Sequence, residues 1–201
     1  MLVDGVDTAS VGCGGPRIVA WRAGRWGGAP GRLGGSGLRN FVVDQKTLLR
    51  RIQAFRGGVI DTSTLIYLER LGMLSLAARS FSLLLIPQVA AEYGFCPHGV
   101  VLTPAPASGT TDELLCRVAR TLAQPVLSED KQVLNWARAA GLSYYNTLMI
   151  VLALCAQGHL PLGAFPQERE KLRAFARYGP EIIATGDTVY QALLQASTDR
   201  Q

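Results

Sequence analysis

The sequence predicts an α/β domain in which a central parallel sheet is covered by helices on both faces, a three-layer α/β/α sandwich. Short apolar runs, typical of buried strands, alternate with longer segments of helical periodicity from residue 58 onward. Such alternation is typical of parallel sheets, because each crossover helix packs back on the sheet. Apolar residues make up 48% of the 201 residues and charged residues 17%, which is enough for one buried core.

The short apolar runs predict five strands. They cover residues 59–60, 83–86, 100–102, 125–128 and 142–145. Each run is followed by a residue or pair that suits the start of a helix or turn, so each strand is expected to end where a loop at one edge of the sheet begins.

Capping and stop signals predict the helices. Thr62 or Ser63 is a candidate cap for the first helix after a strand, Thr110 and Glu113 have the spacing of a capping box, and Pro87 suits a first turn. The predicted helices cover residues 62–70, 74–81, 87–94, 110–123, 130–141, 147–157, 166–177 and 187–196.

Residues 1–57 are predicted to form a separate N-terminal segment, and residues 58–201 the domain. Residues 1–40 are rich in Gly and Arg, so we expect a flexible segment with little to bury. The alternative is an RNA-binding tail in which Trp21 and Trp26 stack on bases. Residues 44–56 have apolar positions at helical spacing, which predicts a short amphipathic helix that packs on the domain or on a partner.

The formal net charge of +5 belongs to the N-terminal segment. Residues 1–56 carry nine basic and three acidic side chains, and the rest of the chain carries eleven and twelve. Overall charge is therefore weak support for nucleic-acid binding by the domain itself. Its candidate substrate-contacting bases are Arg70, Arg117, Lys131 and Arg138.

The cysteines and the apolar runs exclude several classes of protein. The four cysteines lie far apart without CxxC or Cys–His spacing, so we expect reduced, structural thiols rather than a zinc site or a disulfide framework. No apolar run reaches the ~18 to 20 residues of a membrane span, and the N-terminus has no compact signal core. We therefore expect a cytoplasmic protein with no membrane partner.

Four acidic residues lie where the predicted elements meet. Asp61 and Asp130 follow strands, at the edge where parallel α/β folds bind ligands, while Glu92 and Asp112 lie near helix ends. Each has a structural alternative: Asp61 and Asp130 as helix caps, Glu92 as a solvated side chain and Asp112 as a partner of the helix dipole. Glu113 is better explained by the capping box.

The sequences around these acids resemble the motifs of PIN domains. Residues 59–68 (VIDTSTLIYL) are similar to the opening strand and helix of that family, in which Thr or Ser follows the first catalytic aspartate. Residues 85–92 (LIPQVAAE) resemble the second motif, which supplies a glutamate. Residues 111–115 (TDELL) and 125–131 (PVLSEDK) resemble the third and fourth motifs.

The resemblance continues through residues 140–161 to a PIN-like subgroup with a longer helical C-terminus, and it covers residues 58–194 in all. PIN domains are, as a family, magnesium- or manganese-dependent nucleases that act mainly on single-stranded RNA. Many bacterial members are VapC-type toxins held inactive by an antitoxin. Two positions depart from the pattern, because Asn146 replaces a frequent Gly and Glu129 gives a Glu-Asp pair in place of Asp-Asp.

The resemblance therefore implies an endoribonuclease with Mg²⁺ or Mn²⁺ as cofactor, RNA as substrate and an antitoxin as partner if the chain is a toxin. It assigns catalytic and metal-binding roles to Asp61, Glu92, Asp112 and Asp130. Such hard cations prefer carboxylate oxygens, which is compatible with these four residues.

Rival functions and further partners follow from other features. One alternative is a catalytically inactive PIN-like module that binds RNA or regulates. His98 and His159 are far apart and support no Ser–His or Cys–His hydrolase.

The apolar density of residues 65–76 and 148–155 predicts association, as a homodimer or with an antitoxin-like partner. The alternative is that helices on both faces of a parallel sheet are apolar in any case.

Overall fold

The fold is built on a five-stranded sheet in which every strand is parallel to its neighbours. A computed structural model describes residues 45–198. Its strands are β1 (Gly57–Ile60), β2 (Ser82–Leu85), β3 (Val101–Leu102), β4 (Val126–Leu127) and β5 (Tyr144–Tyr145). They lie in the order β3-β2-β1-β4-β5, with helices on the flanks, so the predicted α/β class with a central parallel sheet is confirmed.

Strand β1 holds the centre of the sheet through a close backbone approach. Val59 pairs with Leu84 of β2 on one side and with Val126 of β4 on the other. A Cβ atom at Gly58 would lie 2.5 Å from the Pro125 carbonyl oxygen, so only glycine fits there. The Asp61 N–H donates to the Leu127 carbonyl at 3.0 Å, which ties the end of β1 to the end of β4.

The helices follow the predicted order with some changes of boundary. They are α1 (Gln45–Gln53), α2 (Thr62–Arg70), α3 (Leu74–Ser80), α4 (Pro87–Tyr93), α5 (Thr111–Thr121), α6 (Lys131–Ala139), α7 (Thr147–Ala156), a 3₁₀ turn (Leu162–Ala164), α8 (Phe165–Arg173) and α9 (Pro180–Thr198). The largest change is in α9, which begins at Pro180 and not at residue 187, since proline is favoured in a first helical turn.

Helix α1 packs on the domain, the first of the two alternatives for residues 44–56. The side chains of Leu48 and Ile52 are buried in the same core as the sheet. Phe55, just after the helix, packs its ring 4.6 Å from that of Phe81 and 4.7 Å from that of Tyr145. The core thus extends upstream of Gly58, while the flexible segment predicted for residues 1–40 lies outside the described residues.

Helix α7 is buried on all sides. Its side chains from Ile150 to Leu154 have almost no exposed surface, and Leu65 and Leu68 of α2 are likewise buried. These stretches motivated the prediction of a homodimer or an antitoxin-like partner, and the chain covers most of their apolar surface itself. No helix within residues 45–198 is long and apolar enough to cross a membrane.

Candidate active site

Asp61 occupies the turn between β1 and α2, where it caps the helix. Its Oδ1 accepts the Thr64 N–H at 2.8 Å. The Ser63 hydroxyl donates to the same carboxylate at 2.9 and 3.0 Å, and the Ser128 hydroxyl makes a short hydrogen bond to Oδ2. The prediction of Thr62 or Ser63 as cap was wrong, because the short Asp61 side chain reaches the third N–H of the helix.

The Asp61 carboxylate is a buried charge. Burial raises its pKa above the usual value of 3.8, and the hydrogen bonds from Ser128, Thr64 and Ser63 lower it in part. The net direction is upward, so the fold disfavours the ionised form. An added positive charge beside this carboxylate would offset that cost.

Asp130 lies beyond β4 and caps α6. Its Oδ1 accepts the N–H groups of Gln132 at 2.6 Å and Val133 at 3.3 Å. Its own N–H donates to the Ser128 hydroxyl at 3.0 Å, and that hydroxyl in turn donates to Asp61. One serine therefore connects the two predicted strand-end aspartates, and each aspartate also fills the structural role that was its alternative.

Glu92, in the last turn of α4, is held by two threonines. The Thr62 hydroxyl donates to its Oε2 and the Thr111 hydroxyl to its Oε1, both at 2.7 Å. Thr62 begins α2 and Thr111 begins α5, so two helix starts meet at this carboxylate. Glu92 is exposed to solvent, as its structural alternative required, but both of its oxygens accept hydrogen bonds.

Asp112 completes the group from the first turn of α5. Burial raises its pKa above 3.8, and the negative charges of Asp130 and Glu92 raise it further. Asp130 in the β4–α6 turn and Glu92 in α4 therefore lie near enough to Asp112 for their charges to repel its own. The structure thus brings the four predicted residues to the carboxyl edge of the sheet.

Glu129 is a fifth acid at this edge, and the sequence identified it only as a departure from the family pattern and not as a site residue. Its Oε1 accepts the N–H and the hydroxyl of Thr147, both at 2.6 Å, and its Oε2 accepts the Tyr178 hydroxyl at 2.6 Å. Burial raises its pKa, the hydrogen bonds oppose that shift, and the Asp61 charge adds to it. Its position beside Asp130 was the only signal in the sequence, since Tyr178 lies 49 residues away.

The donor atoms suit a hard divalent cation, but the cluster is not a closed metal centre. Within residues 45–198, no three His, Cys, Asp or Glu side chains are arranged to hold a metal ion as they stand. The available donors are carboxylate and hydroxyl oxygens, which Mg²⁺ and Mn²⁺ prefer. Repulsion at Asp112 and the buried charge of Asp61 are both costs that a bound cation would reduce.

Comparison with known proteins gives little at the level of sequence. No protein-family model and no curated protein matches the chain. Among solved structures, the chain is similar to a PilT N-terminus domain protein from the hyperthermophilic archaeon Sulfolobus solfataricus P2, at 19% identity over 52% of this chain and 96% of that one. The TM-score is 0.36, so the fold class rests on the sheet and helices of this chain.

Proposed function

We propose that this chain is a divalent-metal-dependent endoribonuclease that hydrolyses phosphodiester bonds in single-stranded RNA at the carboxyl edge of its sheet. The observation that carries the proposal is the pair of hydrogen bonds that the Thr62 and Thr111 hydroxyls donate to the Glu92 carboxylate. Three of the four segments that resemble PIN motifs supply these residues, and the fourth supplies Asp130, whose charge acts on Asp112. Surface acids without a common role have no reason to converge in this way.

The chain's own residues would orient the reacting groups. Mg²⁺ or Mn²⁺, held by Asp61, Glu92, Asp112 and Asp130, would activate water and neutralise charge on the scissile phosphate. Thr62 and Thr111 fix the rotation of the Glu92 carboxylate, and Ser63 and Ser128 fix that of Asp61. Such supporting hydrogen bonds orient ligands and commonly change affinity or activity by about 10- to 100-fold.

The decisive experiment is cleavage of a labelled single-stranded RNA by the purified chain. We expect cleavage with Mn²⁺ or Mg²⁺, none with EDTA, and a loss of at least about 100-fold in Asp112→Asn, a larger loss than for supporting residues. Glu113→Gln is the matched control, because it removes the same charge one residue away, on a side chain that serves the capping box. Equal loss in both variants, or cleavage that survives EDTA, would exclude this site.

A second function is favoured by specific observations, namely a PIN-like module that binds RNA or regulates without cutting. Asp61 and Asp130 already act as helix caps, and no three acids in the described part of the chain are closed around a cation. This alternative predicts RNA binding without metal-dependent cleavage, and no Mn²⁺ binding in calorimetry. A calorimetric titration with Mn²⁺ therefore distinguishes the two functions, because only the nuclease is expected to bind the ion.

The toxin role rests on the family resemblance alone, and the prediction of a homodimer or an antitoxin-like partner rests also on the apolar density of residues 65–76 and 148–155. If the chain is a toxin, its expression in a bacterium should arrest growth, and Asp112→Asn should not. An antitoxin would relieve the arrest and bind the purified chain. A homodimer is tested by light scattering at micromolar concentration, where a monomeric mass would exclude it.

A further inference from the structure

The connection between α8 and α9, residues 174–179, contacts the acidic edge, which is the carboxyl edge of the sheet where the four predicted acids and Glu129 lie. The Tyr178 hydroxyl donates to Glu129 at 2.6 Å. From there an aromatic group continues along α2, because the Tyr67 ring lies 6.5 Å from the Tyr178 ring and 5.2 Å from the Phe175 ring. The side chains of Tyr67 and Phe175 are only partly buried, so this group reaches the surface.

Arg70 covers the far end of the group. Its guanidinium carbon lies 4.0 Å from the centre of the Phe175 ring, and the side chain is exposed. Arg70 follows Thr62 by eight residues, about 12 Å along the helix at 1.5 Å per residue. The Arg70 surface, defined as Tyr67, Arg70 and Phe175, therefore leads away from the acidic edge along α2.

The positive charge of this surface is not compensated. On the neighbouring helix α8, Arg169, Lys171 and Arg173 are all paired with carboxylates. Within residues 45–198, Arg70 and the exposed Arg177 form no ion pair. Arg117, another predicted contact, donates instead to the Ser108 carbonyl.

We propose that the Arg70 surface binds single-stranded nucleic acid on one side of the acidic edge, with a base stacked on the Arg70 guanidinium. The proposal rests on the proposed function for its ligand class, and it adds the path of the strand. A guanidinium fixed over a ring presents its outer face to a base and its N–H edge to a phosphate. Paired bases in a duplex cannot stack on such a group, so a single strand is preferred.

Binding can be measured without cleavage, by fluorescence anisotropy of labelled oligoribonucleotides in EDTA. Arg70→Gln should weaken binding of a short single strand by about 5-fold or more, since stacking of one base contributes about 1 kcal/mol or more. Arg70→Lys keeps the charge but removes the planar guanidinium, so it should also weaken binding of the single strand. Arg79→Gln, at an exposed arginine in the last turn of α3, is the matched control and should have little effect.

Two further comparisons sharpen the test. Duplex RNA should bind equally well to Arg70→Lys and to the wild type, because paired bases cannot stack on the Arg70 guanidinium. Phe175→Leu should reproduce Arg70→Gln while thermal unfolding shows a folded protein. Wild-type affinity in Arg70→Gln, or equal losses in Arg70→Gln and Arg79→Gln, would overturn the proposal.

These outcomes are separate from those of the proposed function. A chain that binds single strands through Arg70 but never cleaves would overturn the nuclease and retain the surface. A chain that cleaves with Mn²⁺ and binds equally well without Arg70 would do the reverse. Full affinity in Arg70→Lys would show that the positive charge alone accounts for binding, and it would overturn the assigned stacking of a base on Arg70.

Discussion

The two halves of the acidic edge are built in different ways. Asp61 and Asp130 follow the central strands β1 and β4, cap the next helices and share the buried Ser128 hydroxyl. Glu92 and Asp112 come from α4 and α5, where Glu92 is exposed and is positioned by hydroxyl groups. Changes in the first half should therefore alter folding and activity together, and changes in the second half should alter activity alone.

The largest effect is expected from Asp61→Asn in the buried half. The amide keeps an acceptor for the Thr64 N–H but removes the charge, so metal-dependent cleavage should fall by more than about 100-fold, beyond the effect of a supporting residue. Without metal the variant should be more stable than the wild type at neutral pH, since burial raises the pKa of Asp61. Cleavage in the folded variant at the wild-type rate would contradict its assignment.

The stability gain has a defined pH dependence. A raised pKa means that folded Asp61 binds its proton more tightly than the unfolded chain does, so its ionisation lowers wild-type stability as pH rises above 3.8. The difference between Asp61→Asn and wild type should thus be small in acid and grow toward neutral pH. Urea unfolding in EDTA at several pH values measures it, and a difference that shrinks with pH has the wrong sign.

Metal binding should stabilise the wild type but not the variants that lack a predicted metal ligand. Mn²⁺ at a hundred times its dissociation constant would add about 2.7 kcal/mol to the free energy of unfolding. Asp61→Asn and Asp112→Asn should lose most of that gain, whereas Glu113→Gln should keep it. Thermal unfolding with and without Mn²⁺ gives the comparison, and an unchanged melting temperature in the wild type would favour the non-cutting module.

A smaller effect is expected from Thr111→Val in the exposed half. The change removes one hydroxyl from Glu92 and preserves the shape of the side chain, so cleavage should fall by about 10-fold. Stability should change by less than about 0.5 kcal/mol, as at most surface positions. Thr121→Val removes an exposed hydroxyl at the end of the same helix, bonded to the Arg117 carbonyl, and should leave cleavage intact.

Local signals predicted the elements well. The Thr110 and Glu113 capping box is present, Gly94 ends α4 and Pro87 begins it. The start of α9 was missed because Gly186 and Asp187 have the local signature of a helix boundary. In the structure Gly186 lies inside α9. A Cβ atom at this position would be 2.7 Å from Leu148 Cδ2, so a glycine is favoured there. Tertiary packing, which the local pattern does not encode, explains that glycine.

The candidate site shows the same contrast between features set by local sequence and features set by tertiary packing. Asp61 and Asp130 were expected at the carboxyl edge because each follows a strand, whereas Glu92 and Asp112 were assigned by the family resemblance. The metal-binding role of all four stays a prediction. The hydroxyls that hold them were not, because Thr62 and Thr111 lie 30 and 19 residues from Glu92. Tyr178 is farther still from Glu129, at 49 residues. Such contacts depend on how the layers pack, and a single sequence carries no signal for them.

A small effect on folding is also expected from Asp130→Ser, and this change separates the two roles of that residue. Serine is about as good a helix cap as aspartate, so stability should stay within about 0.5 kcal/mol of wild type, while Asp130→Ala should lose about 1 kcal/mol. Urea unfolding of the two variants measures the cap. If the carboxylate also binds metal, both variants should lose cleavage and Mn²⁺ binding despite their different stability. Full cleavage by Asp130→Ser would reduce Asp130 to a cap and leave Asp61, Glu92 and Asp112 as the candidate ligands.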